Sequence, residues 1–347
     1  MSPGAVALRA PGRVLVMGAG AIGCYLGGRL ALAGVEVHFV GRPRVLGQLA
    51  VHGLTVSESD GATATLAPAD LRLHERVPAG IEFALVLLCV KSGATGQAAA
   101  ELGAVLAAGT PVLSMQNGLH NTEIAQSAAP ALRVLAGMVP YNVAEIAPGV
   151  CLRGSGGALA LRDDAVTRAW LPVLRGAGLA CALHADMRAV QWAKLLLNLN
   201  NPVNALSGRP LREQLLTSDL RWVTAALMSE ALALLRASKQ PLARLTPLPP
   251  GAVPAVMRLS TPLFRLVAAK MLKIDPRARS SMADDLALGR RTEIPALCGE
   301  VVRLAGSLGR DAPKNARMIT LVESAESGSL SVPCDPRDLR RAIESAG

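Results

Sequence analysis

Aromatic side chains are almost absent from this chain: two Tyr, three Trp and three Phe in 347 residues. That scarcity argues against a single-strand nucleic-acid binder, which stacks bases on aromatic rings. The net charge of +10 would otherwise invite such a reading. The arginines are scattered rather than gathered into a patch, so no nucleic-acid partner is expected; the basic surplus would help to collect small anions. The six cysteines form no C-x-x-C pair and no His/Cys spacing of the metal-binding kind. No metal is expected, and the thiols read as the reduced cysteines of a cytoplasmic protein. Cys24 and Cys89 fall in apolar surroundings, where a thiol acts as a small hydrophobe. No apolar run approaches the roughly 18 residues of a membrane span, so no membrane partner is expected. Met1 to Gly12 lacks a hydrophobic signal core and reads as a short disordered extension.

What is present is aliphatic. Hydrophobic residues make up 51% of the chain, and its length allows two domains with substantial cores. The most informative stretch is Arg13-Val-Leu-Val-Met-Gly-Ala-Gly-Ala-Ile-Gly23. Val14 to Met17 predict a short buried strand, and Ala21 to Ala33 a helix stopped by Gly34. Between them Gly18-Ala19-Gly20-Ala21-Ile22-Gly23 has G-x-G-x-x-G spacing. In a dinucleotide site the first glycine makes the tight turn, the second admits the pyrophosphate, and the third lets helix and strand pack closely. The helix start adds free N–H groups and the positive end of its dipole.

The next strand, Val35 to Val40, ends in Gly41-Arg42-Pro43-Arg44, with no acid at its tip to take a ribose 2′-hydroxyl. Glu36 stands at the wrong end of that strand. A guanidinium can clamp a phosphate with two hydrogen bonds, so Arg42 suits the 2′-phosphate of NADP. The plain alternative makes Arg42 and Arg44 ordinary loop cations.

Gly53 to Ala67 is polar and alternating, as in short edge strands. Phe83 to Val90 is continuously apolar, as in a central parallel strand. A helix over Gly93 to Leu106 and a strand over Pro111 to Met115 follow. Strand and helix are expected to alternate to about Asp186, the pattern of a doubly wound α/β sheet. Beyond it, Leu/Ala-rich segments at Met187 to Asn201, Ser218 to Ser238, Pro254 to Lys273 and Ser280 to Leu308 predict an all-α second part. Gln240 to Pro254, with five prolines, reads as a rigid connector. The expected division is an extension over 1–12, a Rossmann-type NADP-binding domain over 13–186, a helical substrate and catalytic domain over 187–330, and a tail over 331–347.

Ligands in such sheets lie beyond the carboxyl ends of the strands. Lys91-Ser92 and Gln116-Asn117-Gly118 follow two of those ends. Asn117-Gly118 is also a strong turn signal, so a contact to cofactor or substrate stands beside a purely conformational role. In the second half, Gln191, Lys194, Asn198 and Asn201 share one stripe of an otherwise Leu-rich helix. That stripe is either a narrow solvent-facing edge or a Lys and amides aimed at a substrate. An ammonium can stabilise the oxyanion that develops when a ketone accepts hydride, and can supply the proton. No Tyr-x-x-x-Lys pattern is present. A third segment runs from Ser280-Ser281 through Asp284-Asp285 and Gly289 to Thr292-Glu293-Ile294; Ser281 and Glu293 could share a site only across a bend, for which Gly289 is the candidate.

The glycine fingerprint, Gln116-Asn117-Gly118, Lys194-x-x-x-Asn198 and Ser281 with Thr292-Glu293-Ile294 together resemble the ketopantoate reductase (2-dehydropantoate 2-reductase) family, from about Arg13 to Leu321. The resemblance implies an NADPH-binding Rossmann domain followed by an all-helical domain. It also implies reduction of ketopantoate to (R)-pantoate in pantothenate biosynthesis. Lys194 matches the family's general acid. Asn117, Asn198, Ser281 and Glu293 match residues that bind or orient substrate, and Asp285 a supporting acid. Arg42 and Lys91 match cofactor-side positions, as do the fingerprint residues, Asn117 and Glu293. Asn201 is a further substrate candidate that departs from the pattern: the family's second asparagine comes four residues after the first, and here Pro202 stands there. A reductase of a different 2-oxo acid and a non-catalytic NADP(H)-binding regulator are the alternatives. The expected partner is a small 2-oxo acid, with a homodimer compatible with the sequence.

Overall fold

The computed structural model describes residues 10–58, 60–269, 272 and 278–346; most of the 1–12 extension therefore lies outside them. The chain divides into two compact units, Met1–Met187 and Arg188–Gly347.

Among the described residues the first unit contains twelve strands: β1 (Val14–Met17), β2 (Val37–Val40), β3 (Leu54–Glu58), β4 (Thr63–Leu66), β5 (Arg72–His74), β6 (Leu85–Leu88), β7 (Pro111–Ser114), β8 (Arg133–Met138), β9 (Val143–Ala147), β10 (Val150–Arg153), β11 (Leu159–Arg162) and β12 (Cys181–His184). Its helices are α1 (Ala21–Leu32), α2 (Pro43–His52), α3 (Thr95–Val105), α4 (Asn121–Ala128) and α5 (Ala165–Gly176). Eight strands form one sheet in the order β12-β11-β8-β7-β6-β1-β2-β5. From β5 to β8 all neighbours are parallel, which is the doubly wound dinucleotide-binding order. β1, β2 and β6 are buried at every residue, as strands covered on both faces must be.

The polar stretch 53–67 differs from expectation. It supplies β3 and β4, but these belong to a separate four-stranded sheet, β4-β3-β10-β9. Alternation also lapses from β8 onward, where the four strands β8 to β11 follow one another before α5. The second sheet is held to α1 by a charged cluster. Tyr25 Oη donates to Glu58 Oε1 at 2.6 Å, and Arg153 Nε lies 3.2 Å from Glu58 Oε2. The Arg153 guanidinium sits 4.9 Å over the ring of Tyr141, which packs edge-on against Tyr25. Both tyrosines of an aromatic-poor chain are spent on this one junction.

The second unit is helical: α6 (Met187–Asn198, whose first residue closes the first unit), α7 (Asn200–Ser207), α8 (Leu211–Leu216), α9 (Ser218–Ala237), α10 (Val253–Met257), α11 (Thr261–Val267), α12 (Ser281–Ala287), α13 (Cys298–Ser307), α14 (Pro313–Glu326) and α15 (Pro336–Glu344). Three expected long segments are broken. Leu199 interrupts the first, between α6 and α7. The second parts at Leu259 and Ser260, ahead of the Thr261-Pro262 start of α11, and its last residues, with 270, 271 and 273 among them, lie largely outside the described residues. α12 is closed by Gly289 at φ +61°: Gly289 N–H bonds Leu286 O, and Arg290 N–H bonds Asp285 O at 2.8 Å, the six-to-one bond of a glycine-terminated helix.

α9 is the axis of this unit, with twelve of its residues buried. Arg221 is among them, 1% exposed. Its guanidinium donates to the carbonyls of Leu215, Met257 and Leu259, and lies 4.5 Å from the Phe264 ring centroid. A buried cation is thereby satisfied by main-chain oxygens that would otherwise be orphaned at the ends of α8 and α10. Residues 331–347, read from sequence as a tail, carry α15, whose Leu339 and Ile343 are buried.

Candidate functional site

On the first unit the candidate residues gather at the carboxyl ends of adjacent strands. Gly18 follows β1 at φ +110°, and a β-carbon there would lie 2.7 Å from Val90 N. Gly18 and Ala19 both donate to Val40 O, at 3.0 and 2.9 Å, which draws the glycine turn to the end of β2 and to Arg42 just beyond it. Gly20 is the N-cap of α1, exposed and extended, with nothing within 4 Å of a β-carbon built on it. No side chain caps this helix start, and no acid stands in its first turn. The first N–H groups of a helix lack intrahelical partners, so an open, uncapped start at Ala21, Ile22 and Gly23 fits a pyrophosphate. Arg42 is exposed at the N-cap of α2.

Lys91 and Asn117 are exposed in the loops after β6 and β7. Beneath them lies a buried polar network that joins the two loops. Gln116 Nε2 donates to Val90 O at 2.9 Å and to Thr95 Oγ1 at 2.7 Å, while Ser114 Oγ donates to Gln116 Oε1 at 2.9 Å. Asn121 Nδ2 donates to Asn117 O and, at 3.1 Å, to Ser92 Oγ. Thr95 Oγ1 lies 2.8 Å from Asn121 Oδ1. Gly118, at φ +97°, completes the turn after Asn117.

On the second unit Gln191, Lys194 and Asn198 are half-buried on α6, as is Arg188, beside the buried Trp192, Leu195 and Leu196. Desolvation lowers the Lys194 ammonium from its ordinary 10.5 to about 8. Leu199, at φ −60° and ψ −9°, separates α6 from α7, and Asn201 belongs to α7. Its neighbour Asn200 is engaged inside the helical unit, with Oδ1 accepting from Gln214 Nε2 at 2.6 Å and from Thr224 Oγ1 at 3.3 Å.

α12 is docked onto α7 at its first residues. Ser280 N–H donates to Asn204 Oδ1 at 2.8 Å, and Ser280 Oγ donates to Asn201 O at 3.3 Å. This sets exposed Ser281 at the start of the helix, with Asp285 buried one turn on. Asp284 is half-buried, and its desolvation raises its carboxyl above the ordinary value. Glu293, half-buried, follows the bend at Gly289 and lies outside α12. Its backbone neighbours are fixed: Thr292 N–H donates to Glu326 Oε1 at 2.7 Å, and Ile294 N–H to Thr292 Oγ1 at 3.3 Å.

Two adjoining family models match this chain: "Ketopantoate reductase PanE/ApbA" over residues 14–163, and its C-terminal counterpart over 186–326. The chain belongs to the ketopantoate reductase family. It is an oxidoreductase of a pyridine-nucleotide-dependent family. Curated 2-dehydropantoate 2-reductases from Halobacterium salinarum and Archaeoglobus fulgidus are 28% and 29% identical to it, over 90% and 91% of this chain and 99% and 98% of theirs. The crystal structure of a PanE/ApbA family ketopantoate reductase from Ralstonia eutropha is 30% identical with a TM-score of 0.76, covering 91% of this chain and 99% of that one. Among the described residues no cluster of His, Cys, Asp and Glu could hold a metal, and no helix is long and apolar enough to cross a membrane.

Sequence reasoning missed Thr95, Asn121, Asn200, Asn204 and Glu326. None forms a motif by itself. The available signal was position: Asn121 opens a helix four residues after Asn117, and Asn204 follows Pro202 in a segment otherwise apolar up to Leu206.

Proposed function

We propose that this chain reduces 2-dehydropantoate to (R)-pantoate with NADPH. Support comes first from the match to curated 2-dehydropantoate 2-reductases along almost the whole length of both partners. Gly18 to Gly23 and the start of α1 would hold the pyrophosphate, Arg42 the 2′-phosphate, and Lys91, Asn117 and Glu293 further parts of the cofactor. When bound, NADPH supplies the hydride.

Lys194 is the general acid in this reading. At about 8 its ammonium is protonated at neutral pH and yet a far better proton donor than an ordinary lysine. It donates a hydrogen bond to the 2-oxo oxygen, stabilises the negative charge developing there, and gives up its proton as the alcohol forms. Asn117, Asn198, Asn201 and Ser281 offer neutral hydrogen bonds to the polar substrate, and Glu293 accepts one from its hydroxyl. Asp285 supports the start of the loop that leads to Glu293. The same reading puts the protein in the cytoplasm, and a homodimer is compatible with it.

One observation favours a second reading, a reductase of another 2-oxo acid: Pro202 stands where the family's second asparagine is expected, and Asn200 is engaged by Gln214 and Thr224. Steady-state oxidation of NADPH with a panel of 2-oxo acids separates the two. A preference of about tenfold or more for ketopantoate in kcat/KM, some 1.4 kcal/mol, supports the first; an equal preference for another acid replaces it with the second.

A further inference from the structure

The buried network under the Asn117 loop has more structure than a turn requires. Asn-Gly turns close readily without help. Here the carbonyl of Asn117 accepts from two side chains, Asn121 Nδ2 and Ser92 Oγ, the latter at 3.3 Å. Asn121 is 5% exposed and reaches three elements at once. Its Nδ2 bonds the loop after β7 and, at 3.1 Å, the Ser92 hydroxyl after β6; its Oδ1 meets Thr95 at the start of α3. Thr95 is fully buried and accepts from Gln116 Nε2, which also holds Val90 O directly before Lys91. The bonds therefore run from Val90 to Asn117 without passing through solvent. The two exposed side chains at their ends are Lys91 and Asn117.

We propose that Asn121 is a positioning residue: it clamps the main chain of Asn117 and Ser92, and so fixes where the Asn117 amide and the Lys91 loop meet their ligands. This rests on the reading of Asn117 and Lys91 as contact residues given above. Asn121 touches neither cofactor nor substrate. A neutral carboxamide suits the task, because it can donate twice to oxygens of two loops while accepting from a third element. A polar network of this kind holds one arrangement only when every member is satisfied.

The test uses the full-length protein and three readouts: NADPH Kd by fluorescence titration, steady-state ketopantoate kinetics, and thermal stability. Asn121→Ala should raise NADPH Kd about fivefold and ketopantoate KM about tenfold, with kcat at saturation within about threefold of wild type. Thr167→Val removes another buried hydroxyl of the same unit, one bonded to Arg162 O. It should lower Tm without moving Kd or KM, which separates positioning from general loosening. In an Asn117→Ala background, Asn121→Ala should add no more than about twofold to KM, because it acts through the missing amide. Unchanged Kd and KM in Asn121→Ala, or multiplicative losses in the double variant, overturn the proposal. If Asn121→Ala does not fold, Ser92→Ala removes one of the two links to Asn117 O and should raise KM about threefold; no change there overturns it equally. A wild type that binds NADPH but ignores ketopantoate removes the proposed substrate and leaves the Kd comparison to decide this proposal alone.

Discussion

A β-carbon on Gly23 would lie 2.1 Å from the carbonyl oxygen of Gly18. The third glycine of the fingerprint is thus required by the fold, whereas the second, Gly20, faces open space. The two should respond differently to substitution. Gly23→Ala forces α1 off the turn and should lower stability by about 1–3 kcal/mol, as overpacking does. Gly20→Val should melt near wild type and lose NADPH binding, because its extended backbone accepts a β-branched residue whose side chain fills the open space above the helix start. Normal NADPH affinity in Gly20→Val would move the pyrophosphate elsewhere.

Arg42 should set coenzyme choice. Loss of a bidentate phosphate contact costs about 1.5–3 kcal/mol, so Arg42→Ala should weaken NADPH binding roughly ten- to a hundredfold. NADH binding should hardly change. Equal losses for both coenzymes in parallel titrations would take the 2′-phosphate away from this residue.

Lys194→Ala should lower kcat about 10²- to 10⁴-fold while NADPH still binds. The wild-type rate of reduction should fall as pH rises through about 8, where the ammonium is lost. That limb should be missing from Lys194→Ala. Lys194→Arg should recover only part of the rate, since guanidinium keeps the charge but gives up no proton near neutrality. A Lys194→Ala kcat within a few-fold of wild type would assign the proton to another group.

Glu293→Ala should act on the substrate side, raising ketopantoate KM about tenfold or more and lowering kcat if the reacting ketone is displaced. NADPH affinity should move by less than about threefold. A collapse of cofactor binding with KM unchanged would move Glu293 to the cofactor side.

The parts of the molecule legible in the sequence are those governed by local pattern. Val14 to Met17, the fingerprint and α1 follow one another within twenty residues, and Phe83 to Val90 shows its burial in its own composition. β3 was harder to place because its parallel partner, β10, lies almost a hundred residues away, and no local alternation reveals which sheet a strand joins. The break at Leu199 hides in a run of four leucines and three Asn residues with good helical spacing, Leu195 to Asn201; the partners of Asn200, Gln214 and Thr224, lie 14 and 24 residues further on. Arg221 looks like any charge on a long helix until the carbonyl of Leu215 and the distant carbonyls of Met257 and Leu259 are found around it. Partners far along the chain decide each of these cases.

The desolvated Lys194 also bears on the pH dependence of the fold itself. Its proton is held less tightly in the folded chain, at about 8, than in an unfolded one, near 10.5. Between those values the unfolded state carries more protons, so folding stability rises with pH across that window. Below it, desolvation weighs on the charged ammonium of the folded chain. Lys194→Met should therefore melt above wild type at pH 7 and lack the gain between pH 8 and 10.5. The desolvation that would make this lysine a ready proton donor also lowers the stability of the protein that carries it.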